Sequence, residues 1–340
     1  MNASFCAPYK GNPNIGSVVL NQISQSDDFE EFANSFSAGD RIFIISSIFG
    51  GTGASGFPLL LKTLRQGDHF PNHDLINNAT IGAITILPYF KLKQNEDSEI
   101  DSSTFISKTK SALAYYESNI IKNGSIDALY YLADDMAGIY ENNEGGSAQR
   151  NDAHLVEFLG ATAVVDFSNS EFMGTSNLEL GIRDTDSAVS FNSFYYRMRE
   201  MLFSPMVQFT LMANALTHKI DLFRSSQFSA NSKYFENFYN ERFFQELTGF
   251  LHKYLEWLKE LKNNKRSLNL FNEVCGDKPF ELVTDLKPKR ILSRYSDYSL
   301  IIDRLNSAVK KDCKSKDPKD RFLEMFYLGT KKLVKEKLSN

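Results

Sequence analysis

The sequence predicts an α/β fold, a parallel sheet with helices on both faces, followed by a mainly helical C-terminal region. Three observations carry that expectation. Short apolar runs rich in β-branched residues, at 42–48, 79–87 and 126–133, alternate with stretches of helical spacing, the order of a sheet built from βα units. The runs are apolar nearly throughout, as strands covered on both faces must be. Beyond residue 168 no comparable strand series follows, and long amphipathic stretches take over.

Residues 1–27 are polar and broken by Gly11, Pro13 and Gly16, a loop with room for a short helix at 17–23. Acidic residues open 28–36, and Phe29, Phe32 and Phe36 fall at helical spacing, so a helix closing at Gly39 is expected. Next comes the stretch that organises the chain, IFIISSIFGGTGASGFPLLLKTLR from Ile42 to Arg65. It reads as strand, glycine-rich turn and helix, with Pro58 in the first helical turn, where a missing N–H costs little. Glycine admits sharp turns and close approach of a ligand. A helix N-terminus offers free N–H groups and partial positive charge to anions. Gly50, Gly51, Thr52, Gly53, Ala54, Ser55 and Gly56 are therefore a candidate phosphate site, with the Thr52 and Ser55 hydroxyls as extra donors. A tight β–α turn that holds no ligand is the plain alternative.

The pattern discriminates among nucleotides by what it lacks. No Lys follows the last glycine, so the P-loop pattern is not met. Gly50, Gly53 and Gly56 give GxxGxxG, as in short-chain-dehydrogenase-like reductases that use NAD(P). Against that reading, the next apolar run ends Leu87-Pro88-Tyr89-Phe90 without the ribose-binding acid, and no YxxxK pair is expected on a helix.

GGTGASG between a strand and an apolar helix resembles the glycine-rich signature loop of the tubulin superfamily. A second segment is similar too. Gln149-Arg150-Asn151-Asp152-Ala153-His154-Leu155-Val156 leads an apolar helix ending near Phe167, much as the central tubulin helix opens with an Asn beside a His-Leu-Val run. The resemblance spans residues 28–168 and is nearest to divergent prokaryotic tubulin-like proteins. It implies GTP or GDP as ligand, Mg2+ as a companion ion, phosphates on Gly50–Gly56, guanine against Asn151, GTPase-like chemistry if the chain is catalytic, and self-assembly.

Two departures follow from the same comparison. In the tubulin family, βα units that supply earlier phosphate loops precede this point, and here the preceding segment is too short for them. Either the domain is incomplete, the missing part is a separate chain, or the start lies too far downstream; self-association, or a partner protein that supplies those elements, is the expected partnership. The loop after the central helix should also carry an acid that activates water. Glu171, Asp184 and Asp186 are the candidates, and none sits in an NxDxxD context. No catalytic residue is assigned.

Around these motifs, 134–150 is a second loop leaving the C-terminal end of a strand, with Asn142, Asn143, Gln149 and Asn151 as amides able to read a base edge. Asp152 fits a helix N-cap, and His154 a packed histidine. His69 and His73 lie in a Pro/Asn-rich loop, and no metal site is expected. A helix over 102–121 would bury Phe105, Ala112, Tyr115, Tyr116 and Ile120. Further on, 191–220 reads as one long helix or a pair broken at Pro205, 241–262 as an amphipathic helix, and 267–271 and 280–283 as short strands. The expected domains are 1–168 and 169–340.

Composition sets the class. Hydrophobic residues make up 42%, charged residues 24%, with 28 Phe and 15 Tyr, which suits substantial cores. A net charge of −4 gives no sign of nucleic-acid binding, although the last fifty or so residues are rich in lysine. Cys6, Cys275 and Cys313 are scattered, as in a reducing cytoplasm. No membrane span or signal pattern is read. A scaffold that kept the fold and lost the nucleotide is the remaining alternative.

Overall fold

The structure, a computed structural model, describes residues 20, 22–93, 102–136, 138–141, 151–171, 181–183, 188–225, 228, 237–273, 277–289 and 296–338. The chain divides into two units, Met1–Asn151 with Val156–Asn177, and Asp152–Leu155 with Leu178–Asn340.

Unit 1 runs α1 (Asp27–Ser35), β1 (Arg41–Ser47), α2 (Gly51–Gln66), α3 (His73–Asn77), β2 (Thr80–Ile86), β3 (Lys91–Leu92), α4 (Phe105–Tyr116), β4 (Ala128–Leu132), β5 (Ile139–Tyr140) and α5 (Leu155–Asn169). Ser26 caps α1 by accepting from the Phe29 amide, with Asp27, Asp28 and Glu30 in its first turn. Gly39, at φ +94, then reverses the chain into β1.

The strands β1, β2 and β4 form one parallel sheet in that order, so the most apolar run is the central strand. Ile44 pairs with Ala83, and Ile84 with Tyr130. Both crossovers step the same way, and right-handed connections then place α2 and α4 on one face. That face buries Ile42, Ile44, Ile81 and Ala83 together with Phe57, Leu61, Leu64, Tyr116 and Ile120. The second face is covered by α5. A Cβ on Gly82 would stand 2.5 Å from the Phe167 ring, and Phe167 stacks on Phe43 at 5.1 Å. Tyr130 donates to the buried Asp166 carboxylate at 2.9 Å. The Arg41 guanidinium donates to the Phe167 carbonyl at 3.1 Å and that of Ser170 at 2.6 Å. The parallel sheet with helices on both faces is as the sequence predicts. The helix expected over 102–121 has an α-helical centre, with a 3₁₀ turn at Ser102–Thr104 and a π turn at Glu117–Ile121.

Unit 2 is helical, with α6 (Tyr196–His218), α7 (Ile220–Arg224), α8 (Arg242–Asn263), α9 (Asp297–Lys311) and α10 (Pro318–Leu333). The α6 helix continues through Pro205 and is not a broken pair. Its burial from Val207 to Leu216 explains why packing overrides one lost hydrogen bond. Phe238, Phe322, Phe326 and Phe223 form a chain of ring contacts at 4.9, 5.1 and 5.8 Å. The strands expected at 267–271 and 280–283 are corrected. Only isolated bridges form, Val189 with Leu268 and Phe271 with Val283, and Pro279–Leu282 is a 3₁₀ turn. Among the described residues no helix is long and apolar enough to cross a membrane.

The turn between α9 and α10 is held by one carboxylate. Glu324 accepts from the amides of Lys314 at 3.0 Å and Ser315 at 2.9 Å, while Asp317 caps α10 by accepting from Lys319 and Asp320. The Ser315 and Lys314 amides hold the Glu324 carboxyl below its ordinary value. A depressed carboxyl stabilises the fold above its unfolded value, and that contribution is lost as pH falls through the folded value. Wild type should therefore lose more stability than Glu324→Gln between about pH 5 and about pH 3, as read by urea unfolding at each pH. Parallel curves for the two proteins would contradict this.

Candidate functional site

The Ile48 amide donates to the Ile86 carbonyl at 3.0 Å, prolonging the sheet by one residue. Only Ile48, Phe49 and Gly50 then separate β1 from α2. Gly50 caps α2 with no side-chain hydrogen bond, and no acidic residue lies in the first turn. The first intrahelical bond runs from the Ala54 amide to the Gly50 carbonyl at 3.3 Å. The amides of Gly51, Thr52 and Gly53 have no acceptor one turn back, as at every helix start. They face the C-terminal end of the sheet, where open α/β folds take ligands, and the local charge suits an anion.

The predicted loop is nonetheless shorter than Gly50–Gly56. Gly51, Thr52, Gly53, Ala54, Ser55 and Gly56 are already helical. The glycines have packing reasons. A Cβ on Gly53 would stand 2.4 Å from the Ser47 carbonyl oxygen and 2.9 Å from its nitrogen, both backbone atoms. Gly50 would meet the Ser47 hydroxyl at 2.9 Å, and Gly56 the flexible end of Leu20 at 2.9 Å. Gly53 is thus required by the close approach of α2 to β1, with or without a ligand. Two further expectations are corrected. The buried Ser55 hydroxyl donates back to the Gly51 carbonyl at 2.7 Å and is no donor for a ligand, leaving exposed Thr52 as the hydroxyl at this end. Pro58 lies about two turns inside α2, not in its first turn.

An aromatic cluster borders the turn. Phe49 contacts Phe105 at 4.8 Å, Phe90 at 5.8 Å and Tyr89 at 6.4 Å, and Phe90 reaches Tyr140 at 6.2 Å. Beyond β2, Lys91–Leu92 runs parallel to Ile139–Tyr140. Burial, then the charge of Glu157 and the neighbouring Tyr140, pushes the Tyr89 phenol above its ordinary value. Residues Ile48 to Phe57 include no carboxylate, histidine or amine, so the turn has groups to bind an anion and none to move a proton.

Asn151 is exposed and precedes α5, which starts at Leu155. Asp152 is therefore not the cap expected from sequence. Within unit 2, the Ala153 amide donates to Glu260 at 3.2 Å, and Asn264 donates to the carbonyls of Asp152 at 3.3 Å and Ala153 at 3.0 Å. His154 is buried. Glu171 is exposed. Asn142, Asn143, Gln149, Asp184, Asp186, Cys6 and Cys275 lie outside the described residues. His69 pairs with Asp68 and His73 with Asp74, and among the described residues no group of three or more His, Cys, Asp or Glu could hold a metal. One pairing contradicts the sequence reading. Tyr327 and Lys331 form a YxxxK pair on α10, the Lys331 amine donating to the phenol at 3.3 Å. Both are exposed in unit 2.

Sequence reasoning passed over α4 as part of any site. Its Lys108, Ser111 and Tyr115 face α2 across a groove of about 830 Å3 that begins beside Gly50. Tyr115, expected on the inner face, is half exposed. No family model, curated protein or solved structure matches this chain.

Proposed function

We propose that this chain is a divergent tubulin-like guanine-nucleotide-binding protein of the cytoplasm, with phosphates on the amides of Gly51, Thr52 and Gly53 and guanine against Asn151. The observation that carries the reading is the start of α2. It follows the edge strand after three residues, with a glycine cap, no capping side chain and no acid in its first turn. An uncapped helix start without an acid, which α4, α6 and α8 share, can take an external anion; at α2 it stands directly after a strand of the parallel sheet. The strand order β1-β2-β4 adds support, because one-directional stepping is half of a doubly wound sheet. Further strands, from a second copy or a partner chain, would add at the outer edge of β1. GTP or GDP is the ligand, with Mg2+ as a companion of its phosphates. The reductase alternative is weaker, since β2 ends without a ribose-binding acid, and among the described residues the YxxxK pair on a helix, Tyr327 with Lys331, lies on α10.

A second reading has its own observation. Gly53 is needed for packing alone, and Phe49 is locked into the aromatic cluster. A scaffold that lost the nucleotide would keep both features. Calorimetric titration of the full chain with GTP, ATP and NADPH, each with Mg2+, separates the readings. GTP alone should bind, NADPH alone would favour a reductase, and none would favour the scaffold. Asn151→Ala should weaken GTP about tenfold by removing hydrogen bonds to the base while leaving binding of inorganic triphosphate unchanged. Equal GTP affinity in wild type and Asn151→Ala would remove Asn151 from the site.

A further inference from the structure

The groove between α2 and α4 runs along both helices. From α2 it is lined by Ala54, Pro58, Leu61 and Arg65, and from α4 and the π turn after it by Lys108, Ala112, Tyr115 and Asn119. Each set recurs every three or four residues, as one stripe of a helix does. Between Ala54 and Arg65 the α2 helix rises about 16 Å. Spread over that length, a volume of about 830 Å3 leaves a mean cross-section of about 50 Å2. A helix with its side chains is 10–12 Å across and needs roughly twice that, whereas the volume lies in the range of small-molecule sites. The groove suits an extended small molecule better than a partner helix.

Charge does not converge on it. Arg65 is bonded to Asp127 and to backbone carbonyls, and Lys108 has an interaction partner of its own. Lys62 is exposed, so its stem can cover apolar surface while the amine stays in water. Among the described residues no carboxylate lines the groove. Ser107, Ser111 and Asn119 donate back to helix carbonyls at 3.0, 3.2 and 3.0 Å. The surface left for an occupant is apolar, with the buried side chains of Ile48, Leu61 and Ile120 as its floor.

Two features of the α4 wall add independent support. Tyr115 lines the groove and is 50% exposed, an aromatic ring left uncovered beside an apolar floor. The helix also passes into a π turn at Glu117–Ile121, which places Asn119 and Ile120 in the lining. Such turns are rare and are found frequently at functional sites.

We propose that the α2–α4 groove binds an elongated, uncharged apolar molecule, its body lying along Pro58, Leu61, Ala112 and Ile120 and its outer side covered by Tyr115. Apolar burial supplies the affinity, and no ion pair is made. The site lies along the flank of α2, whereas the nucleotide phosphates are assigned to its first turn, and it does not rest on that assignment.

The probe is N-phenyl-1-naphthylamine, an uncharged aromatic molecule, titrated by fluorescence into the full chain and into Ala112→Trp and Ser111→Trp. Both variants narrow the groove, and Ser111 is exposed, so its replacement spares the core. Wild type should bind one probe saturably, and each variant should weaken binding by at least about tenfold while keeping the wild-type unfolding midpoint. A parallel titration uses 8-anilinonaphthalene-1-sulfonate, the same body carrying a sulfonate, which should bind wild type more weakly. Absence of one-to-one binding to wild type, or unchanged affinity in a folded Ser111→Trp protein, overturns the proposal. Tighter binding of the sulfonate overturns the uncharged class. Self-association of wild type that Ser111→Trp abolishes, read by sedimentation, would give the groove to a second copy and overturn the small-molecule assignment.

Discussion

Arg65→Met should destabilise unit 1 by about 3 kcal/mol or more, read as a lowered urea midpoint. The Arg65 guanidinium gathers three segments at the N-terminal end of the sheet. Its Nε donates to the Ser125 carbonyl at 2.7 Å, and one terminal nitrogen donates to the carbonyls of Asn77 at 3.0 Å and Ala79 at 2.7 Å. The other donates to Asp127 at 2.7 Å, and the same carboxylate oxygen accepts from the Ile81 amide at 2.7 Å. The Arg65 side chain is 17% exposed and that of Asp127 41%, so water replaces these bonds only in part. Methionine matches the stem but strands the carbonyls and the carboxylate. Lysine restores charge without the planar fork, so Arg65→Lys should recover less than half of the loss. A midpoint unchanged in Arg65→Met would mean that the crossovers are held by apolar packing alone.

Gly53→Ala should cost about 1–3 kcal/mol, and Gly53→Val more, whether or not a ligand is present. The added Cβ would sit 2.4 Å from the Ser47 carbonyl oxygen. Backbone cannot swing aside as a side chain can, so α2 must lift from β1 or β1 must bend. A helical Gly→Ala change ordinarily stabilises by roughly 0.5–1 kcal/mol, so the sign of the effect is diagnostic. Thermal unfolding measures it. A stabilised Gly53→Ala would show that α2 and β1 are further apart than described. The same geometry makes Gly53 variants poor probes of ligand binding, because the fold fails with the site.

The strands of unit 1 were legible. Runs at 42–48, 79–87 and 126–133 correspond to Arg41–Ser47, Thr80–Ile86 and Ala128–Leu132, because a strand covered by helices has little choice but to be apolar. The long amphipathic helix at 241–262 is α8, Arg242–Asn263. The glycine stretch misled for a physical reason. Glycine disfavours helix, yet the approach of α2 to Ser47 requires Gly53, and tertiary contact decides the conformation. Lysines hid the C-terminal helices. Between them α9 carries Tyr298, Ile301, Ile302 and Leu305, and α10 carries Phe322, Met325, Phe326 and Leu333, as buried stripes. Their caps, Ser296 and the Asp317-Pro318 pair, were open to reading. The α2–α4 groove was not, since it exists only when two stripes distant in sequence are brought face to face.

The most direct measurement is fluorescence titration of N-methylanthraniloyl-GTP with Mg2+ against wild type and Thr52→Glu. Thr52 is exposed in the first turn of α2, where a carboxylate favours the helix by roughly 0.3–1 kcal/mol, so folding is kept while negative charge occupies the phosphate position. Saturable binding to wild type, weakened at least about a hundredfold in a Thr52→Glu protein of unchanged thermal stability, is the result expected. No binding to wild type, or equal affinity in both proteins, would contradict an anion site at the start of α2.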